Sequence, residues 1–384
     1  MHILFLGTSS FPFGMAEVEK QTLIGRSLQE QGCEVTFVCK KSFNYDSDLP
    51  YKGTVHDINY IYTSFLSRRH KNKIVNRILW SIGGIVEKLY LLFARYDCAI
   101  VNSRNYMEVK CYSFIIHLRK KKIFLTHVED YRSMHPEADG KLLKRIDAFE
   151  SLTWSKIDGV FPISEELRRQ VISKNPSLPV FNIPVLVNPE DAMNAIDVDP
   201  INEDYFMFCG SSDYEKTIIQ IIRGFEGTKG NIKLLLVLNG GKRSMENAVH
   251  LIKSSRFSDR VVLKSALPKT QLWGYYTRAT ALLIPLNFDQ RDKARFPHKI
   301  GEYCASKGVI ITSRWGEIPN FFTNKQNAVL LNSDDPLELS EAMKFVADNK
   351  EISNKMRLQA FELASGPFNF ANHGASILNF MKGS

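Results

Sequence analysis

Between Phe296 and Ser313 the chain reads Phe-Pro-His-Lys-Ile-Gly-Glu-Tyr-Cys-Ala-Ser-Lys-Gly-Val-Ile-Ile-Thr-Ser, and three of these residues could do chemistry: His298, Lys299 and Glu302. A helix with Pro297 at its first position, where a missing N–H costs nothing, and Gly308 as its left-handed stop would present free N–H groups near His298 and Lys299. Such amides carry a partial positive charge that favours a phosphate, and the Lys299 ammonium adds a point charge. Glu302, one turn further on, is too close for a second phosphate but suits a ribose diol, whose hydroxyls a carboxylate can accept. The same residues also fit a capped helix packed on a sheet, with Lys299 and Glu302 as a solvated pair.

A second candidate is Gly210-Ser211-Ser212-Asp213-Tyr214-Glu215-Lys216. Small residues such as Ser211 let the backbone approach an anion that Lys216 could neutralise; a solvated loop lysine is the alternative. Asn239-Gly240-Gly241-Lys242-Arg243-Ser244 fails as a phosphate-binding Walker loop, because Leu236 stands where the first glycine is needed. His127 follows an apolar strand, with Glu129 and Asp130 close by, and could position a sugar hydroxyl, share a proton or simply satisfy local backbone. No Gly-x-Ser-x-Gly elbow, His-Glu-x-x-His or clustered His/Cys set occurs, so triad hydrolysis and zinc chemistry are disfavoured and no metal is expected.

The elements that would position these residues alternate. His2 to Leu6, Glu34 to Cys39, Cys98 to Val101, Ile123 to Thr126 and Gly159 to Ile163 read as strands. A helix from Ala16 to Gln31 follows the first, and another starts after the cap Ser164. The loop from Gly7 to Gly14 is not Gly-x-Gly-x-x-Gly and the second strand ends in Cys39-Lys40-Lys41, which argues against a nicotinamide dehydrogenase. Periodicity breaks between Pro179 and Asp204 and then restarts. The second half reads as strands at Tyr205 to Cys209, Ile232 to Leu238, Val261 to Leu263, Ala281 to Pro285 and Val309 to Thr312, with helices between them and a final one from Pro336 to Asp348. These patterns predict an α/β chain of two doubly wound parallel-sheet domains, 1–185 and 186–360, and a tail, 361–384, crossing back to the first. Ligands of such sheets bind beyond the carboxyl ends of the strands, so a cleft between the domains is the expected site.

Composition narrows the partners. The 384 residues are 44% hydrophobic and 24% charged, as in a globular protein, and carry a net charge of +9. Arg68, Arg69, Lys71, Lys73 and Arg77 lead into an apolar, aromatic-containing segment ending at Phe93, a pattern that suits an anionic membrane surface. Gly83-Gly84 weakens that segment as a helix. Six cysteines without metal-binding spacing and a strand-like opening, not a leader, suggest a reducing cytoplasm. No apolar stretch is long enough to span a bilayer.

Taken in order, these segments resemble the retaining glycosyltransferases of family 4, which have the GT-B fold. The resemblance is carried by Gly7 to Ala16, Thr126-His127, Val160 to Leu167, Gly210 to Lys216, Val261 to Pro268 and Pro297 to Tyr303. It implies a nucleotide-sugar donor on the C-terminal domain and an acceptor on the N-terminal one. Lys216 would meet the donor phosphates, Glu302 the ribose and the backbone near Leu267 the base. Gly14, Met15 and Ala16 would close over the diphosphate and sugar, with His127 near the transferred sugar. Same-face attack without a metal or other cofactor is implied. The chain departs from the family where Ala294 replaces the first of two glutamates and where Ser211 or Ser212 replaces an arginine. Asp289, Asp292, Arg295 or Lys299 are the nearby substitutes. The predicted function is transfer from a UDP- or GDP-sugar to a lipid-linked glycan in surface polysaccharide assembly, by a cytoplasmic protein peripheral to the inner face of the plasma membrane. No nucleic-acid partner is expected. The alternatives are a nucleotide-sugar epimerase of the same fold and a non-catalytic sugar-nucleotide-binding scaffold.

Overall fold

The computed structural model describes all residues except 9, 15, 44–48, 197–200 and 202. These divide into two compact units, Met1–Leu186 with Phe370–Ser384, and Val187–Asn369.

The first unit runs β1 (His2–Leu6), α1 (Ala16–Gln29), β2 (Glu34–Cys39), β3 (Lys52–Val55), β4 (Ile58–Tyr62), α2 (Lys73–Phe93), β5 (Cys98–Val101), α3 (Tyr106–Leu118), β6 (Lys122–His127), α4 (Gly140–Leu152), β7 (Gly159–Pro162) and α5 (Glu165–Lys174). The strands form one sheet in the order β3-β4-β2-β1-β5-β6-β7. All pairs are parallel except β3 with β4. Strand β1 is apolar throughout because both of its faces are covered. Ile3 and Phe5 join a cluster with Ile24, Leu28 and Phe37, while Leu4 and Leu6 join another with Val109, Ile116 and Trp154.

The β3–β4 hairpin was not anticipated from the sequence. Its two turn residues, His56 and Asp57, both have positive φ (50° and 61°), as a tight two-residue hairpin needs, without the usual Asn-Gly. Helix α2, which the glycine pair had seemed to interrupt, is one continuous helix capped by the Asn72 side chain on Ile74 N (2.8 Å). Gly83 is there for space. A Cβ at that position would come within 2.9 Å of the Lys40 carbonyl oxygen and 3.0 Å of Ser64 N.

The second unit contains β8 (Tyr205–Ser211), α6 (Glu215–Phe225), β9 (Lys233–Asn239), α7 (Lys242–Ser254), β10 (Val261–Lys264), α8 (Lys269–Arg278), β11 (Ala281–Ile284), α9 (Gln290–Ala294), α10 (Lys299–Ala305), β12 (Ile310–Ser313), β13 (Val329–Leu331), α11 (Pro336–Asp348) and α12 (Lys350–Ser365). Its sheet is wholly parallel, in the order β10-β9-β8-β11-β12-β13. Phe206, Phe208, Leu234, Leu236 and Leu283 face Ile218, Ile221, Phe225 and Leu339 in its core. Helix α12 runs through position 360, so the tail expected from 361 starts later. It consists of α13 (Gly374–Gly383), which packs on α1 within the first unit.

Candidate functional site

Helix α10 differs from its expected form at both ends. It begins at Lys299 after the cap His298, leaving Pro297 outside, and the left-handed residue beyond it is Lys307 (φ 53°), not Gly308. Gly308 is fixed instead by Leu282, whose Cδ1 would lie 2.2 Å from a Cβ at 308. Within the helix Glu302 is buried and its Oε2 accepts from Lys299 Nζ (2.8 Å) and Tyr276 Oη (3.1 Å). Burial alone would raise this carboxyl, but the Lys299 ammonium outweighs it and holds Glu302 below the usual carboxylate range. Glu302 is therefore a charged, fixed acceptor, not a solvated surface group. The segment ahead of α10 is anchored by Phe296, which stacks on Phe321 and packs edge-on against Phe368.

The β8–α6 loop stands at the carboxyl end of the neighbouring strand. The Ser211 hydroxyl donates to Asp213 (3.1 Å) and accepts from Asp213 N (3.2 Å), so the loop folds on itself. Tyr214 precedes α6 and offers it no side-chain cap, and Lys216 is exposed in the first helical turn. Leu267 is half-buried in the β10–α8 loop, beside left-handed Ala266 (φ 52°), whose N donates to Asn239 Oδ1 (2.8 Å) at the end of β9. Ser211, Lys216, Leu267, His298, Lys299 and Glu302 therefore all belong to the second unit, Ser211 as the last residue of β8 and the others in the segments that follow β8, β10 and β11.

Of the suggested substitutes for the missing arginine and glutamate, Asp289 caps α9 through Asp292 N (2.8 Å). Asp292 is buried, pairs with Arg295 (3.0 Å) and accepts from Asn287 N (2.7 Å). Lys299 is committed to Glu302. Ala294 is fully buried, a place where a glutamate would have no water.

In the first unit the expected residues are less coherent. Gly14 and Ala16 are exposed at the start of α1, and Met15 lies outside the described residues. His127 ends β6 and packs against the rings of Trp154 (5.0 Å) and Phe149 (6.3 Å). Burial pushes it down to about 4 despite the opposing pull of Asp130, so it is neutral at pH 7 and poorly suited to sharing a proton.

Sequence reasoning missed a polar cavity of about 650 Å³ at the strand ends, walled by Lys40, Glu87, Lys88, Arg104, Glu108 and Tyr112 among others. Among the described residues its lining does not include His127. Tyr112 Oη donates to Glu87 Oε2 (2.6 Å) and approaches Glu108 Oε1 (3.1 Å), while Glu108 pairs with Lys40 and accepts from Ser103 Oγ (2.6 Å). Burial raises the Glu87 carboxyl and lowers the Lys40 ammonium, each partly countered by the other. One signal was available: Glu87 is the single acid in the apolar run of α2.

The basic patch, Arg68, Arg69, Lys71, Lys73 and Arg77, is exposed at and before the start of α2. Beyond it the helix is amphipathic in an inverted sense. Ile74, Ile78, Ile82, Ile85, Leu89 and Phe93 recur every three or four positions and are 42% to 75% exposed, whereas Asn76 and Glu87 are buried. The adjoining α3 exposes Met107, Phe114 and Leu118. Among the described residues no helix is long and apolar enough to cross a membrane.

Residues 194–362, which lie within the second unit, match the family model "Glycosyl transferases group 1". The second unit carries a group 1 glycosyltransferase domain. Similar solved structures include a sucrose-phosphate synthase from Thermosynechococcus elongatus, at 14% identity, TM-score 0.77 and coverage of 100% of this chain and 98% of that one. Anabaena HepE in complex with UDP-glucose matches at 12% identity and TM-score 0.73 over 100% of both chains. An E. coli trehalose-6-phosphate protein bound with UDP-2-fluoro glucose matches at 11% identity and TM-score 0.70, covering 100% of this chain and 99% of that one. At these identities the likeness establishes the fold, so the chain has the GT-B fold of two Rossmann-like α/β units. None of the curated proteins matches its sequence.

Proposed function

We propose that this glycosyltransferase moves a sugar, with retention, from a UDP- or GDP-sugar to a hydroxyl of a lipid-linked glycan in surface polysaccharide or glycoconjugate assembly. The observation that carries the reading is the Glu302 carboxylate, buried and held charged by Lys299, in the same unit as the exposed Lys216. Glu302 accepts the ribose hydroxyls, Lys216 meets the diphosphate and the backbone at Leu267 meets the base. Structural neighbours bound to UDP-glucose and UDP-2-fluoro glucose favour uridine as that base.

In the transfer the bond from the anomeric carbon to the diphosphate oxygen breaks and a bond to the acceptor oxygen forms on the same face. The acceptor proton goes to the departing phosphate oxygen. No protein nucleophile is required, and positive charge around the diphosphate replaces a metal. His127, being neutral, contributes as a hydrogen-bonding neighbour of the transferred sugar and not as an acid. The polar cavity of the first unit takes the acceptor.

The inverted α2 supports a lipid-linked acceptor. An apolar stripe rimmed by five cations matches an anionic bilayer in both hydrophobicity and charge, each cation adding about 1 kcal/mol. The site would then work from the inner face of the plasma membrane.

Incubation with UDP- and GDP-sugars and with polyprenyl-linked or soluble glycans, followed by product mass, tests the reading. Nucleoside diphosphate release with acceptor growth is the expected result. Isomerised sugar nucleotide without release would point to the epimerase, and binding without turnover to the scaffold. Vesicles of phosphatidylglycerol should sediment the protein, and combined Ile78→Ser, Ile82→Ser and Ile85→Ser should leave it in the supernatant.

A further inference from the structure

We propose that Arg291 and Arg295, standing on the ring of Tyr214, hold the donor's diphosphate together with Lys216. The assignment rests on the nucleotide-sugar reading above and adds residues that lie outside the β8–α6 loop. The guanidinium carbons of Arg291 and Arg295 lie 4.7 Å and 4.5 Å from the centroid of the Tyr214 ring. Tyr214 is two residues before Lys216, and all four residues belong to the second unit. Two guanidinium groups thus converge on one aromatic ring, two positions before a lysine in the sequence.

Gathering three cations is unfavourable unless an anion compensates them. Within the described residues Asp292 pairs with Arg295 (3.0 Å), while neither Arg291 nor Lys216 makes an ion pair. The other acids nearby are occupied locally: Asp213 accepts from Ser211, and Asp289 caps α9. Glu215 is exposed on the first turn of α6. Among the described residues Arg291 and Lys216 are thus left without an acid paired to them.

Its geometry is also held in place. Asp292 accepts from Asn287 N (2.7 Å) and Asn287 Nδ2 (3.0 Å), and Asn287 Nδ2 also reaches Thr217 Oγ1 on α6 (3.3 Å). The segment carrying the arginines is therefore tied to the helix carrying the lysine. A guanidinium stacked on an aromatic face keeps its N–H edge available, and that edge matches two phosphate oxygens at once. A diphosphate, with at least two negative charges over two centres, suits two such edges and one ammonium.

Calorimetric titration of the full chain with UDP, GDP, uridine and guanosine tests this. For whichever diphosphate the wild type binds, Arg291→Ala and Arg295→Ala should each weaken binding roughly tenfold to a hundredfold, with nucleoside affinity unchanged. Arg291→Lys should recover part of the loss, and Tyr214→Leu should resemble the arginine variants while Tyr214→Phe stays near wild type. Wild-type diphosphate binding that survives both alanine variants within twofold would overturn the assignment while sparing the donor reading. Equal loss of diphosphate and nucleoside binding would reveal a structural role and also overturn it. If the wild type binds neither diphosphate, the donor reading fails and the assignment with it.

Discussion

In the second unit the ionisable groups that matter stand in the loops and first turns that follow β8 and β11, each fixed by a neighbour: Glu302 by Lys299 and Tyr276, and Arg295 by Asp292 and Tyr214. In the first unit the corresponding strand-end histidine is packed among aromatic rings and neutral, while the cations lie on the outer surface beside an exposed apolar stripe. Two sheets of similar winding thus carry different chemistry. The second presents fixed charges suited to a small, highly charged ligand. The first combines a mixed polar cavity with an apolar outer face, which suits a larger and more varied one. Shared topology sets where ligands can bind, and the side chains at those places set which ligands.

The strongest test of this contrast is Glu302→Ala. It removes the fixed acceptor and leaves the half-buried Lys299 ammonium without its carboxylate. Initial rates with the nucleotide sugar identified in the panel should fall at least a hundredfold, and an unaltered rate would remove the second unit's claim to the donor.

His127 gives the matching test in the first unit. Its pKa is depressed when folded, so the unfolded chain takes the proton first, and stability should fall as pH drops from about 6.5 toward about 4. The full loss is about 3 kcal/mol. Chemical denaturation across that range should show a weaker acid dependence in His127→Phe, and identical profiles would mean that the ring is not buried as described.

Lys216→Ala should weaken diphosphate binding by about 1.5 to 3 kcal/mol, measured by calorimetry, without altering the melting temperature of an exposed site. A smaller pair probes the first unit's packing. Gly83→Ala should destabilise by about 1 to 3 kcal/mol because backbone lies within 3.0 Å of the added carbon. Gly84→Ala meets only the flexible tip of Lys88, at 3.9 Å, and should stabilise by up to about 1 kcal/mol. Melting curves moving in the same direction for both would contradict the packing of α2.

The parallel strands were readable because burial on both faces makes them continuous apolar runs, as in β1 and β2, whose limits coincide with those expected. The β3–β4 hairpin and β13 were not. One turns on His-Asp where glycine is customary, and the other is only three residues long. At the site, Lys216 and Glu302 stood out because an anion needs a small-residue loop or helix end with a cation in a fixed order. Tyr214, Arg291 and Arg295 could not be linked that way, since their contact depends on two loops folding together across the sheet. Glu108 and Tyr112 were hidden for the same reason, as they meet Lys40 only through the pairing of distant strands.

The closing helix α13 has a consequence for the order in which the protein is made. Its Phe380 ring packs with Phe124, Phe161 and Phe181, and Lys122 Nζ donates to the Lys382 carbonyl (3.2 Å). The first unit thus waits for residues 370–384 to be made, whereas the second is continuous in sequence and complete by Asn369. During synthesis the first unit is begun before the second and completed after it. Until then its aromatic face is a surface for chaperones to guard.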